Sequence, residues 1–460
     1  MAQAGTTIDI STLIDGRKLN SFNARIVVIC WLIMFFEGYD LATLAVAGPS
    51  LMKLWGIKSM ASMGYAFSAV LFATIFGTPL FGWIGDRFGR KNALILACLG
   101  IGVFSLVTMF VTDLTQMIVV RLFTGLAIGG IAANTLALNA EFAPRRVRAT
   151  LMIVMFTGIT LGAAIPGAIG PRLIPIYGWQ ALFFIGGVTP LIMAAVSALF
   201  LPESIKFLVL RGHRVTRVHA IVSQLDRAFI VGSETRFAVT DEKPAKNLSP
   251  ARLFQDGLGS LTTLLWIINL FSVLSLYFIS FWLPTVMAST SFKTDAPYFQ
   301  TLFQTGGTIG GLAVARPVDK IGLLPVFIMF LIAIPFACGI GYTTGSETLA
   351  MVDVFIAGFF VLGLQFALNA AGALIYPTTL RATGSSWAGT LGRLGSVAGP
   401  SVAGIMLSTG MSIQTFYMTL VVPLGLGAIA AFFFARLYYR RFQGHTFERR
   451  QVTAATAVGD

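Results

Sequence analysis

The sequence predicts an all-α membrane protein, with twelve transmembrane helices arranged as two six-helix pseudo-symmetric bundles. Three observations lead there. Hydrophobic residues fill 56% of 460 positions and charged residues only 11%, whereas a soluble domain carries charge at about a quarter of its positions. So few charges cannot cover a water-facing surface of this size. Apolar runs of membrane-crossing length recur twelve times, and the second half of the chain repeats the first at a constant offset.

A membrane helix needs about 20 largely apolar residues. Runs of that kind fall at about 25–48, 61–83, 92–111, 115–138, 150–171, 179–201, 262–286, 297–317, 323–342, 349–372, 383–408 and 412–436. The first 24 residues are polar and mixed in charge, and no small-residue cleavage site follows the first run, so that run reads as an uncleaved first helix. The expected organisation is a tail (1–24), a six-helix bundle (25–201), a linker (202–261), a second bundle (262–436) and a second tail (437–460). Within the linker, Phe207, Leu208, Leu210, Val218, Ile221, Val222 and Leu225 have amphipathic helical spacing. This reads either as a surface-lying helix or as an ordinary helical loop.

The net charge of +13 is not gathered into a basic module, which argues against nucleic acid. Its residues sit in the gaps between runs and set orientation. On one side lie Arg87, Arg90, Lys91, Arg145, Arg146, Arg148, Arg316, Lys320 and Arg381; on the other lie Lys53, Lys58, Arg172 and Lys293. The richer side, with both tails and the linker, is expected to be cytoplasmic. Cys30, Cys98 and Cys338 are odd in number and each lies inside an apolar run, which argues against disulfides. None has a partner at ligand spacing, so no metal or cofactor is expected. His213, His219 and His445 all lie outside the runs.

The repeat has an offset of 233. Asp86 and Gly89 fall on Asp319 and Gly322; Pro144 and Arg148-Ala149-Thr150 fall on Pro377 and Arg381-Ala382-Thr383; Leu161-Gly162 falls on Leu394-Gly395. Six spans per half keep the two copies in the same orientation, an architecture that puts a binding site near the midplane between them. Gly158, Gly162 and Gly167, with Gly392, Gly395 and Gly399, read as small-residue helix-packing faces.

These features resemble the major facilitator superfamily over nearly the whole chain. Gly82-Trp83-Ile84-Gly85-Asp86-Arg87-Phe88-Gly89-Arg90-Lys91 is similar to its signature loop after the second helix, and Arg121 with Gly125 and Gly129 to its fourth-helix motif. Pro202-Glu203-Ser204, with Phe207-Leu208 and Arg211-Gly212, resembles the sixth-helix exit of the sugar-porter and organic-acid branches. Glu37-Gly38-Tyr39-Asp40-Leu41 is similar to the acidic-Gly-aromatic-Asp signature of the bacterial aromatic acid:proton symporters, which usually begin it with Asp. The resemblance implies a monomer in the inner membrane.

Ionisable residues inside a span are costly and mark function. With a rise of 1.5 Å per residue, Glu37 lies roughly 18 Å and Asp40 roughly 22 Å from the cytoplasmic entry of the first helix, and Arg121 sits at a height close to that of Asp40. Asp40 is the expected proton-coupling acid. Glu37, one turn away, reads equally as a relay member or as a protonated packing residue. Arg393 lies near the midplane where its repeat counterpart is Thr160, so symmetry does not require it; it is either a carboxylate anchor or a structural Arg. Arg121, Gln365, Asn369, Tyr277 and Trp282 are further candidates for substrate contact, and Asn134, Gln304 and Trp387 for the cavity lining. By resemblance Asp86, Arg90, Glu141, Arg148, Asp319 and Arg381 are gating residues that bridge the two halves.

The expected function is secondary active transport: proton-coupled import of an aromatic or related organic acid by alternating access, with the bilayer, the acid and the proton as partners. A sugar or polyol porter is supported by Pro202-Glu203-Ser204 but leaves Arg393 without a role. A drug or metabolite efflux antiporter usually carries Gly-x-x-x-Gly-Pro in helix five, and here Ala163 follows Gly162. No nucleophile elbow or phosphate loop points to an enzyme.

Overall fold

A computed structural model describes residues 7–16, 19–211, 215–225, 236–238, 250–255, 257–292, 294–376 and 378–442, with the side chains of Asp319 and Arg381 outside the description. Twelve crossings follow in order. The first six are α1 (Ser21–Leu54), α2 (Met60–Phe88), α3 (Arg90–Thr108), α4 (Leu114–Ile128, continued by Ile131–Phe142), α5 (Arg145–Tyr177) and α6 (Gln180–Phe200). The second six are α7 (Gly259–Ala288), α8 (Ala296–Ile321), α9 (Leu324–Gly339), α10 (Glu347–Val361, continued by Gly363–Ile375), α11 (Thr378–Ser408) and α12 (Ile413–Met418, continued by Val421–Phe442). Among the described residues, nine helices are long and apolar enough to cross a membrane, and α9 is a shorter apolar helix. The remaining two, α8 and α11, are more polar, and both put polar residues on the central cavity described below.

The two halves are built alike. In the first, α1 packs on α5, α2 on α4 and α3 on α6; in the second, α7 packs on α11, α8 on α10 and α9 on α12. The correspondence reaches single residues. Gly77 abuts the Leu126 carbonyl and Gly310 that of Phe359, while Gly125 abuts the Val70 carbonyl and Gly358 that of Phe303. Each second contact is the first moved by 233 positions. A Cβ at any of the four would collide with that carbonyl oxygen, so only glycine lets these backbones approach so closely. The predicted packing glycines divide by role: Gly158, Gly162, Gly392, Gly395 and Gly399 pack within their own half, and Gly167 meets α8 of the other half.

The end that carries Ser21 and Phe442 also carries the linker. Val218, Val222 and Leu225 of the short helix Val215–Leu225 are buried, and Asn20, the N-cap of α1, donates to the Gln224 and Leu225 carbonyls at 3.2 and 2.9 Å. A two-stranded parallel ribbon joins β1 (Thr7–Asp9) to β2 (Arg236–Ala238), tying the N-terminal segment to the linker. No sequence signal announced this pairing.

Direct contacts between halves cluster toward the opposite, far end. Ser68 of α2 donates to the Val397 carbonyl and meets the Ser401 hydroxyl of α11, both at 2.7 Å. Thr301 of α8 donates to the Ala164 carbonyl of α5 at 2.7 Å, and Phe67 packs on Phe281 and Trp282 with ring centroids 5.4 and 5.3 Å away. The Thr160 and Thr308 hydroxyls meet at 2.6 Å nearer the middle.

Candidate functional site

Between the halves lies a cavity of about 360 Å³. The α1 stripe that reaches it is Glu37, Gly38, Leu41, Ala42 and Ala45, positions that share one helical face. Tyr39 and Asp40 fall off that stripe. Tyr39 instead donates its hydroxyl to the Leu182 carbonyl of α6 at 3.0 Å, which fixes the turn of the helix and sends Asp40 inward among α3, α4 and α6.

There Asp40 and Arg121 form an ion pair at 3.0 Å, each residue about 1% exposed. Ser105 of α3 donates to the other carboxylate oxygen at 2.5 Å, and Arg121 donates to Thr108 at 2.7 Å. The guanidinium also lies 4.9 Å from the centre of the Phe183 ring. A buried charge persists only with such partners. Ser105, Thr108 and Phe183 were not singled out from sequence, although two hydroxyls three residues apart on an apolar helix lie on one face.

The cavity wall itself carries two charged residues among those described, Glu37 from the first half and Arg393 from the second. Tyr277 lines the same wall. The Oε2 atom of Glu37 is buried without a hydrogen-bond partner, a deficiency that costs about 1–3 kcal/mol unless something bound relieves it. Gln365, Asn369 and Gln304 also line the cavity, with Gln365 donating to Ser272 at 2.6 Å. Leu41, Leu71, Ile159, Phe156, Phe281 and Phe366 make the remainder largely apolar and aromatic.

Other predicted residues lie elsewhere. Arg121 is outside the cavity wall, in the pair just described. Trp282 is fully buried beyond the wall, donating to the Pro400 carbonyl at 2.9 Å. Asn134 donates to the carbonyls of Phe81 and Gly130 within the first bundle. Trp387 stacks on Trp266 at 5.9 Å, on the side of α11 away from Gly389, Gly392, Arg393 and Ser396.

At the termini end, Arg90 pairs with Glu141 at 3.2 Å, and the Ser204 hydroxyl donates to the second Glu141 oxygen. Glu203 accepts from the backbone N–H of Lys91 at 3.1 Å; burial pushes its carboxyl above the usual range, and the N–H donors of Lys91, Ser204 and Arg90 oppose that rise. Arg211 donates to the Asp86 carbonyl at 3.3 Å, and Arg148 to that of Ala143 at 3.0 Å. All of these contacts stay within the first half and the linker. The expected bridge to the second half involves Asp319 and Arg381, whose side chains lie outside the described ones.

A family model described as Major Facilitator Superfamily matches residues 30–400. The chain is 35% identical over 428 residues to the 4-hydroxybenzoate transporter PcaK of Pseudomonas putida, covering 92% of this chain and 95% of that one. It is 34% identical over 431 residues to a gallate transporter of the same organism, covering 92% and 94%. Its backbone is similar to the xylose transporter XylE from E. coli in a partially occluded inward open conformation, with a TM-score of 0.69, 16% identity, and 90% and 98% coverage.

Proposed function

The chain belongs to the major facilitator superfamily, and from that premise we propose that it imports an aromatic carboxylate together with a proton across a bacterial inner membrane. The observation that carries this reading is the opposition of Glu37 and Arg393, one from each half, in a cavity otherwise apolar and aromatic. Relatives named for 4-hydroxybenzoate and gallate support a ring acid as cargo.

Charge balance gives the coupling. With Glu37 ionised, the empty wall holds one anion and one cation that offset each other. A substrate carboxylate takes the fork of Arg393, a geometry guanidinium suits. Glu37 then faces the cavity without a counter-charge, and taking a proton restores neutrality. The bundles turn past a neutral load more readily than past an unpaired charge in a low-dielectric passage. Asp40, paired with Arg121 behind the wall, is the second acid of the coupling, because it shares the helix that carries Glu37. The contacts of Ser68, Thr301 and Phe67 act as the outer seal, which parts when the halves rock. Asp86, Arg90, Glu141, Arg148, Asp319 and Arg381 serve the inner gate.

Purified protein tested by thermal unfolding against benzoates, phenylpropionates, sugars and cationic drugs separates the alternatives. Stabilisation by the ring acids alone is expected. Stabilisation by sugars or cations with none by acids would replace this reading.

A further inference from the structure

Two turns beyond the level of Arg393, the cavity has a second polar patch that the coupling scheme leaves unused. Ser280 of α7 accepts from the amides of both Gln300 and Gln304 of α8, at 3.0 and 3.2 Å. Ser280 and Gln304 line the cavity, while Gln300 stands behind them at 0% exposure with its amide oxygen unpartnered. One hydroxyl has a single hydrogen, so it cannot satisfy both amide oxygens. The group therefore presents to the cavity an uncommitted Ser280 O–H donor and a Gln304 amide acceptor, with no charge. That combination matches a neutral hydroxyl, which both donates and accepts, and it holds no cation to offset the charge of a second carboxylate.

Its position suits the opposite end of a ring acid. Gly392, next to Arg393, lies against Val273, where an added Cβ would stand 3.2 Å from the Val273 side chain. Ser280 is seven residues further along α7, ~10 Å at the helical rise. A benzene ring with a carboxylate at one end and a hydroxyl opposite, hydrogen-bonded over about 2.9 Å at each end, bridges that span. Tyr277, Phe281 and Leu41 lie between as apolar walls.

We infer that Ser280 and Gln304, backed by Gln300, read the ring hydroxyl and make this transporter selective for hydroxylated over unsubstituted aromatic monocarboxylates. The inference rests on the proposed transport of aromatic carboxylates by this cavity. A site built to bond a hydroxyl discriminates against the analogue that lacks it, because its own polar groups are then left unpaired.

The test compares proton-driven uptake of 4-hydroxybenzoate and benzoate in proteoliposomes for wild type, Ser280→Ala and Ser280→Ala/Gln304→Met. Wild type should favour 4-hydroxybenzoate in kcat/KM by roughly tenfold or more, and the double variant should bring the ratio to within about threefold. If the double variant fails to reach the membrane, Ser280→Ala, which removes one oxygen, still gives the ratio and should lower it. An unchanged ratio, or equal losses for both acids, overturns the inference alone. Transport of neither acid by wild type overturns the underlying reading with it.

Discussion

Arg121 holds Asp40 at 3.0 Å inside the first bundle, while Glu37, three residues earlier on the same helix, lines the cavity that Arg393 lines from the other half. The two acids of one short motif thus have different surroundings, and substitutions should separate them.

Asp40→Asn leaves Arg121 charged, buried and without its counter-ion. Removing one member of a buried pair costs about 3–5 kcal/mol, so thermal unfolding in detergent should begin several degrees lower. Asp40→Asn/Arg121→Gln should recover most of that loss while uphill uptake stays absent. A single variant with wild-type stability would mean that the pair does not hold the bundle.

Glu37→Gln keeps the size of the side chain and removes its proton chemistry. Counterflow exchange of substrate should continue, because carrying a neutral load needs no titration. Accumulation driven by a pH gradient should vanish. Full accumulation by this variant assigns coupling elsewhere.

Arg393→Ala removes a charge-assisted, forked contact. Hydrogen bonds to charged groups contribute about 1.5–3 kcal/mol, so KM for the carboxylate should rise roughly tenfold to a hundredfold. Inhibition by the corresponding neutral amide should change far less. Parallel weakening of both would remove the carboxylate from Arg393.

Ser68→Cys/Ser401→Cys tests the seal, since those hydroxyl oxygens stand 2.7 Å apart. Oxidation should join α2 to α11 and stop transport, and a reductant should restore it. Transport that continues at full rate through the cross-link would place the moving seal elsewhere.

Much of this was legible beforehand because the bilayer restricts what a sequence can do. Span length and apolarity are physical requirements, so the crossings were countable, and the offset of 233 reappears in the glycine contacts of Gly77 with Gly310 and Gly125 with Gly358. The finer division of Glu37 from Asp40 was not legible. Three residues on a helix differ by one modest rotation, and the decision fell to Tyr39 and its bond to the Leu182 carbonyl of a distant helix. Trp282 looked like a ligand because buried aromatics of both kinds read alike in sequence. Ser280 and Gln300 escaped notice because a single hydroxyl or amide in a span carries no charge to mark it, and their meaning comes only from being bonded together.

The most direct test of the central claim is internal pH in proteoliposomes that hold a trapped indicator dye, with no imposed gradient. Adding 4-hydroxybenzoate outside, at a pH where it is ionised, should acidify the interior as labelled acid enters. Glu37→Gln should abolish the pH change while leaving exchange intact. Uptake of the acid with no movement of internal pH would contradict proton coupling through this cavity.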